Sequence, residues 1–240
     1  MLGGVWALVH LVLVTLPAWR GARDWSDAIA RPPRAFLLVR AGALKATRLD
    51  HGELWRLGSA LFLHGGWLHL LANLIAVASV GPAAEAVLGL EVALLVFVLG
   101  GATGNLASWT AGTPLSVGAS GGLFAWLGAL LVVGFRDRDR LGSVIGPALR
   151  RRILPWLLLN LALGALLPVV DQRAHIGGLL GGLVLGAVLG AEHPPAPRRR
   201  RRAGAFAGAL LLVAALGAAQ SWSRPLPPPP PSAPRRGSPG

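Results

Sequence analysis

The 240-residue chain has no cysteine, no tyrosine and a single lysine, Lys45. Without cysteine there is no disulfide framework, no thiolate metal site and no cysteine nucleophile, and the redox compartment is left open. Charged residues are scarce too, at 14% of positions against about a quarter in soluble domains, while 53% are hydrophobic and the mean hydropathy is +0.58. That balance excludes an ordinary water-soluble enzyme. Acidic residues number ten against 23 basic ones, a net charge of +13. Because the arginines sit in short clusters between apolar runs, the charge points to anionic lipid and not to nucleic acid. The excess of Ala, Gly, Arg and Pro suggests a GC-rich bacterial genome, and so a bacterial cell membrane as the expected location.

Seven apolar segments approach the roughly 20 residues a bilayer-spanning helix needs: 3–19, 64–81, 88–106, 116–135, 153–170, 175–191 and 203–222. In lipid the helix is the form that satisfies its own backbone. The expected fold class is therefore an all-α polytopic membrane protein. The first segment lacks a basic n-region and a small-x-small cleavage site, so it reads as a span and not as a signal peptide. Residues 20–63 carry eight basic residues with Trp25, Phe36, Trp55 and Phe62, a composition suited to an interfacial loop. If spans two, four and six run inward, Arg136, Arg138, Arg140, Arg150 to Arg152 and Arg198 to Arg202 lie inside and close to span ends, where they set orientation. The tail from Arg224, including Pro227 to Pro231, reads as polyproline II or disordered chain. The expected organisation is a core over 1–191, a basic linker with the seventh span over 192–222, and a Pro-rich tail over 223–240.

Polar groups inside spans are costly and are functional candidates by default. Here they are His10, His64, His69, Asn73, Glu91, Asn105, Ser120, Asn160 and His175. His64, His69 and Asn73 open span two, Ser120 lies near the start of span four and His175 opens span six. Alternating direction makes these three spans parallel, so their first turns share one depth. His69 and Asn73, four apart, lie on one helix face. A serine with a histidine is the minimal set for nucleophilic acyl transfer, the imidazole taking the hydroxyl proton and passing it to the leaving amine. His69, Asn73 and the Ser120 amide, the last at a helix start where N–H groups are unpaired, are donors of the type an oxyanion needs. Gly178, Gly182, Gly186 and Gly190 recur every four residues along span six, a stripe that admits a close neighbour. Span four, with Gly118, Gly121 and Gly122, is the expected one.

These residues resemble the rhomboid family of intramembrane serine proteases, over about Glu53 to Gly190 and through four motifs in order. They are Trp55-Arg56; His64, His69 and Asn73; Gly118-Ala119-Ser120-Gly121; and Ala174-His175 with Gly178 and Gly182. The resemblance implies a six-helix core, with the seventh span appended. It also implies a Ser120–His175 dyad and an oxyanion hole from His69, Asn73 and the Ser120 amide, with His64 in support and Gly118 shaping the turn. Phe124 falls where the family places an aromatic ring against the catalytic histidine. The implied substrates are transmembrane proteins, cleaved near their extracytoplasmic end with no cofactor and no metal; the oligomeric state is not implied.

Blander readings compete. Ser120 alone could be a helix cap, His69 with Asn73 interhelical glue, and His64 an interfacial residue. Trp55-Arg56 reads as a loop anchor, with Arg56 reaching lipid phosphates and Trp55 at headgroup depth. Gly118 to Gly122 also satisfies G-x-S-x-G, and Asp171 with His175 reproduces the Ser, Asp, His order of α/β-hydrolases. That fold needs a strand before the serine and separate loops for the partners, so Asp171 is read as a loop charge. A catalytically inactive relative that binds membrane spans, or a small transporter, is the non-enzymatic alternative. No internal repeat supports the transporter.

Overall fold

Helices follow the apolar runs almost throughout the computed structural model, which describes residues 35–136, 142–167, 170–189 and 197–223. The expected span 3–19, His10, Gly190 and the Pro-rich tail lie outside the described residues. Short elements come first: α1 (Ala35–Ala41), β1 (Leu44–Lys45), α2 (Ala46–Asp50), α3 (Arg56–Ser59) and a 3-10 turn (Ala60–Phe62). Long helices follow: α4 (Trp67–Leu88), α5 (Leu90–Thr110), α6 (Ser120–Arg136), α7 (Gly142–Leu166), α8 (Gln172–Leu189) and α9 (Pro197–Ser223). A single residue separates α4 from α5. It is Gly89, at φ 76 and ψ 151, a conformation closed to residues with a Cβ.

Trp67–Leu88, Leu90–Thr110, Gln172–Leu189 and Gly204–Ser221 are long and apolar enough to cross a membrane, and Ser120–Arg136 and Ile153–Leu166 are shorter apolar helices. The protein is an integral, multi-pass, all-α membrane protein. Several expected starts move. Gly65 and Gly66 hold span two back to Trp67, so His64 precedes the helix and does not lie on it. Leu115–Ser116 forms β2, which pairs antiparallel with β1 in the register Leu44 to Ser116 and Lys45 to Leu115, so span four starts at Ser120 and not at 116. Span five begins earlier than expected, because the helix runs on through Arg150 to Arg152. The segment expected as an interfacial loop is, from Ala35 onward, folded structure.

Lipid tails are as apolar as leucine, so helices in a bilayer associate by close packing and hydrogen bonds and not by excluding water. The centre of the molecule follows this rule. Helix α8 lies between α5 and α6 and meets both through small residues. On one side, a Cβ added at Gly178, Gly182 or Gly186 would run into the backbone of Gly121, Ala125 and Ala129 of α6. On the other, one at Gly177 or Gly181 would meet Ala107 or Thr103 of α5, and one at Gly104 the Ala174 carbonyl. Polar ties fix the stack: Trp126 Nε1 donates to the Ala93 carbonyl (2.7 Å), and Thr103 Oγ1 to that of Gly177 (3.1 Å). The outer faces of α4, α7 and α9 expose Leu71, Ile75, Leu158, Leu163, Leu212 and Leu216, as lipid-facing surfaces should.

Candidate active site

Three helix starts converge, and each brings a chemical group. On α4, His69 Nδ1 accepts the Gly65 N–H (3.2 Å), which assigns the ring proton to Nε2. The protonated edge faces Gly118: a Cβ there would lie 2.8 Å from His69 Cε1, 2.9 Å from Nε2 and 3.8 Å from Ser120 Oγ. At φ 131, Gly118 is also in a region that favours glycine. Its N–H donates to the Ala60 carbonyl (3.0 Å), fastening the turn to the 3-10 segment. Two residues on, Ser120 opens α6 half-buried, where its own amide belongs to the unpaired first turn. Asn73, buried at 4% exposure, uses one amide hydrogen on the His69 carbonyl (2.9 Å) and keeps the other. His64 is fully buried behind His69, with ring centroids 5.3 Å apart, edge to face.

On α8, His175 is buried at 7% exposure, and the Phe124 ring stacks on it at 4.2 Å with 15° between planes. Its Nδ1 has no hydrogen-bond partner, and among the described residues none joins the ring to Ser120 Oγ. The structure thus gathers Ser120, His175, His69, Asn73, His64, Gly118 and Phe124 at one end of the helix stack. Gly178 and Gly182 lie just below, where α8 touches α6.

Two residues depart from expectation. Asp171 is no free loop charge: it caps α8, Oδ1 accepting the Ala174 N–H (3.2 Å) while Oδ2 accepts the Ser108 hydroxyl of α5. The sequence signal was an Asp one residue ahead of an apolar helix. Arg56 does not reach lipid phosphates. It is 0% exposed, its Nε donates to Glu53 Oε2 (2.7 Å), and its Nη1 to the carbonyls of Val39 (2.7 Å) and Ala43 (2.9 Å). The guanidinium lies 4.4 Å over the Trp55 ring. So the pair ties loop segments to one another and not to headgroups, because a caged guanidinium loses less on leaving water than an unpaired one. Asn105, which the sequence marks only as a polar group in a span, links α5 to α3 by donating to the Leu57 carbonyl (2.8 Å).

A serine at a helix start, a histidine on the adjacent helix and an N–H donor on a third make a site of the kind that serves acyl transfer inside a helical membrane bundle. The Rhomboid domain family model matches residues 51–192, and the chain belongs to the rhomboid family. It is 38% identical over 144 residues to Rhomboid protease GluP of Bacillus subtilis, covering 60% of this chain and 28% of that protein. With RHOMBOID-like protein 5 of Arabidopsis thaliana identity is 40% over 154 residues, 62% of this chain and 48% of the relative. Rhomboid-like protease 5 of Toxoplasma gondii is 33% identical over 166 residues, 68% of this chain and 19% of the relative. This chain therefore spans less than half the length of these three. Their bacterial, plant and protist sources do not single out the bacterial membrane expected from composition.

Proposed function

We propose that this protein is an intramembrane serine endopeptidase that cleaves transmembrane proteins through a Ser120–His175 dyad. The observation that carries the reading is the meeting of two helix starts at Gly118, where an added Cβ would lie 2.9 Å from His69 Nε2 and 3.8 Å from Ser120 Oγ, with His175 of a third helix stacked on Phe124, one turn along the serine's own helix. His175 takes the Ser120 proton as Oγ attacks the scissile carbonyl. The negative oxygen then draws on donors that need no rearrangement: His69 Nε2–H, the Ser120 amide and the second amide hydrogen of Asn73. Collapse of the intermediate expels the amine, which carries away the His175 proton, and a water activated by the same imidazole hydrolyses the acyl-enzyme. Free enzymes often hold such hydrogen bonds open until substrate arrives, which accommodates the missing Ser120–His175 bond. Phe124 keeps the ring in plane, Gly118 leaves room for the oxyanion donors, and His64 backs His69. Lipid surrounds the apolar flanks; the partners are the substrate spans, and no cofactor, metal or nucleic acid enters the scheme.

Cleavage of a model transmembrane substrate by the protein in lipid vesicles tests the reading, with Ser120→Ala and His175→Ala alongside. Loss in both folded variants is expected. Cleavage that survives Ser120→Ala would remove the mechanism, and the inactive, span-binding alternative would gain from a wild type that binds such spans and cuts none.

A further inference from the structure

Helix α9 carries the expected C-terminal span, yet its last turns do not face only lipid. Ser221 is 7% exposed, and its hydroxyl accepts a bond from Arg56 Nη2 (3.2 Å) across 165 residues of sequence. One turn earlier, Gly217 receives the face of the Trp55 indole, since a Cβ there would clash with three of its ring atoms. Gly42 meets the same indole at its Cζ3 edge, where a Cβ would lie 2.9 Å away, and the Arg56 guanidinium lies over the ring at 4.4 Å. Trp55 is thus in close contact with two glycines, one from the loop and one from α9. A further turn back, Ala214 is buried against Gly58 of α3, 3.3 Å from where a Cβ would stand.

These contacts lead to the serine. Arg56 Nη1 holds the Ala43 carbonyl, Ala43 precedes β1, β1 pairs with β2, and β2 runs through Val117 into Gly118. The segment after α3 supplies the Ala60 carbonyl that accepts the Gly118 N–H. Both supports of the Ser120 turn therefore stand on α3, which α9 grips directly, and on β1, which α9 reaches through Arg56 and the Ala43 carbonyl. We infer that the C-terminal span is a strut, in which Gly217 and Ser221 act through Trp55 and Arg56 to position the Gly118–Ser120 turn. They are positioning residues: neither touches Ser120 or His175. The inference rests on the proposed protease only where cleavage is the readout.

Hydrogen exchange and cleavage kinetics on the full chain in lipid nanodiscs, for wild type, Gly217→Leu, Ser221→Ala and Ser221→Thr, test it. In the first two variants, exchange across 115–118 should rise about tenfold, the scale expected when a buried charged donor loses one partner, while exchange in α8 stays at the wild-type rate. kcat should fall by a similar factor with KM unchanged, and Ser221→Thr, which keeps the hydroxyl, should restore both. Wild-type exchange at 115–118 in both Gly217→Leu and Ser221→Ala would overturn the strut. So would equal loosening of α8, the mark of a helix that merely stabilises the whole. If wild type cleaves nothing, the protease reading fails and the exchange data still decide the strut; should Gly217→Leu not fold, Ser221→Ala decides it alone.

Discussion

Two regions meet at Gly118 and are held by opposite means. Below it, α8 is fixed against α5 and α6 by the absence of side chains: Gly178, Gly182 and Gly186 let the backbones touch, with few polar ties. Above it, the loop from Ala35 to Leu63 is fixed by a charge, the buried Arg56, which gathers Glu53, Val39, Ala43 and Ser221 around one guanidinium. In lipid, close packing costs no desolvation and tolerates no added volume. A caged charge works differently, since it specifies several partners at once and is costly to leave half-satisfied. The proposed nucleophile stands at the junction, on a turn whose lower side is packed and whose upper side is hydrogen-bonded.

The comparison breaks most sharply at Gly178. A leucine there would drive into the Gly121 carbonyl, so Gly178→Leu should separate Ser120 from His175 and reduce cleavage to background, with helicity kept by circular dichroism. Full activity would mean that close approach is unnecessary. Arg56→Leu attacks the other region and should lower stability by about 3–5 kcal/mol, through carbonyls and a carboxylate left without their donor, read as a fall in thermal midpoint in micelles. Asp171→Asn should do much less, because asparagine also caps helices and accepts from Ser108, leaving a loss of roughly 1 kcal/mol and most of the activity. Complete inactivation there would instead give Asp171 a direct part in a triad. Smallest of all is Phe124→Tyr: the ring that stacks on His175 is kept, so kcat/KM should stay within about twofold, equivalent to under 0.5 kcal/mol.

What could be read from sequence follows the same division. Packing by small residues leaves a periodic trace, so the stripe on α8 and its neighbour α6 are legible in the sequence; the Asp171 cap leaves a signal as well, an Asp directly ahead of an apolar run. Hydrogen bonds across long sequence distance leave none. Arg56 looks like any interfacial arginine until Val39, Ala43 and Ser221 close around it, and those partners come from three separate segments. The start of α6 is expected four residues early for a related reason: residues 116–119 run without a charge into the apolar segment, and only the pairing of Leu115 and Ser116 with Lys45 and Leu44 makes a strand there. His64 is expected on the helix because the apolar segment begins with it, whereas Gly65 and Gly66 delay the helix past it.

The central claim is that Ser120 is a nucleophile made reactive by His175. An alkyl fluorophosphonate applied to the protein in lipid, followed by mass spectrometry of the labelled peptide, tests it without knowledge of any substrate. The account predicts a single adduct at Ser120, absent from Ser120→Ala and lost or greatly slowed in folded His175→Ala. An adduct on another residue, or a Ser120 adduct formed at the same rate without His175, would contradict it.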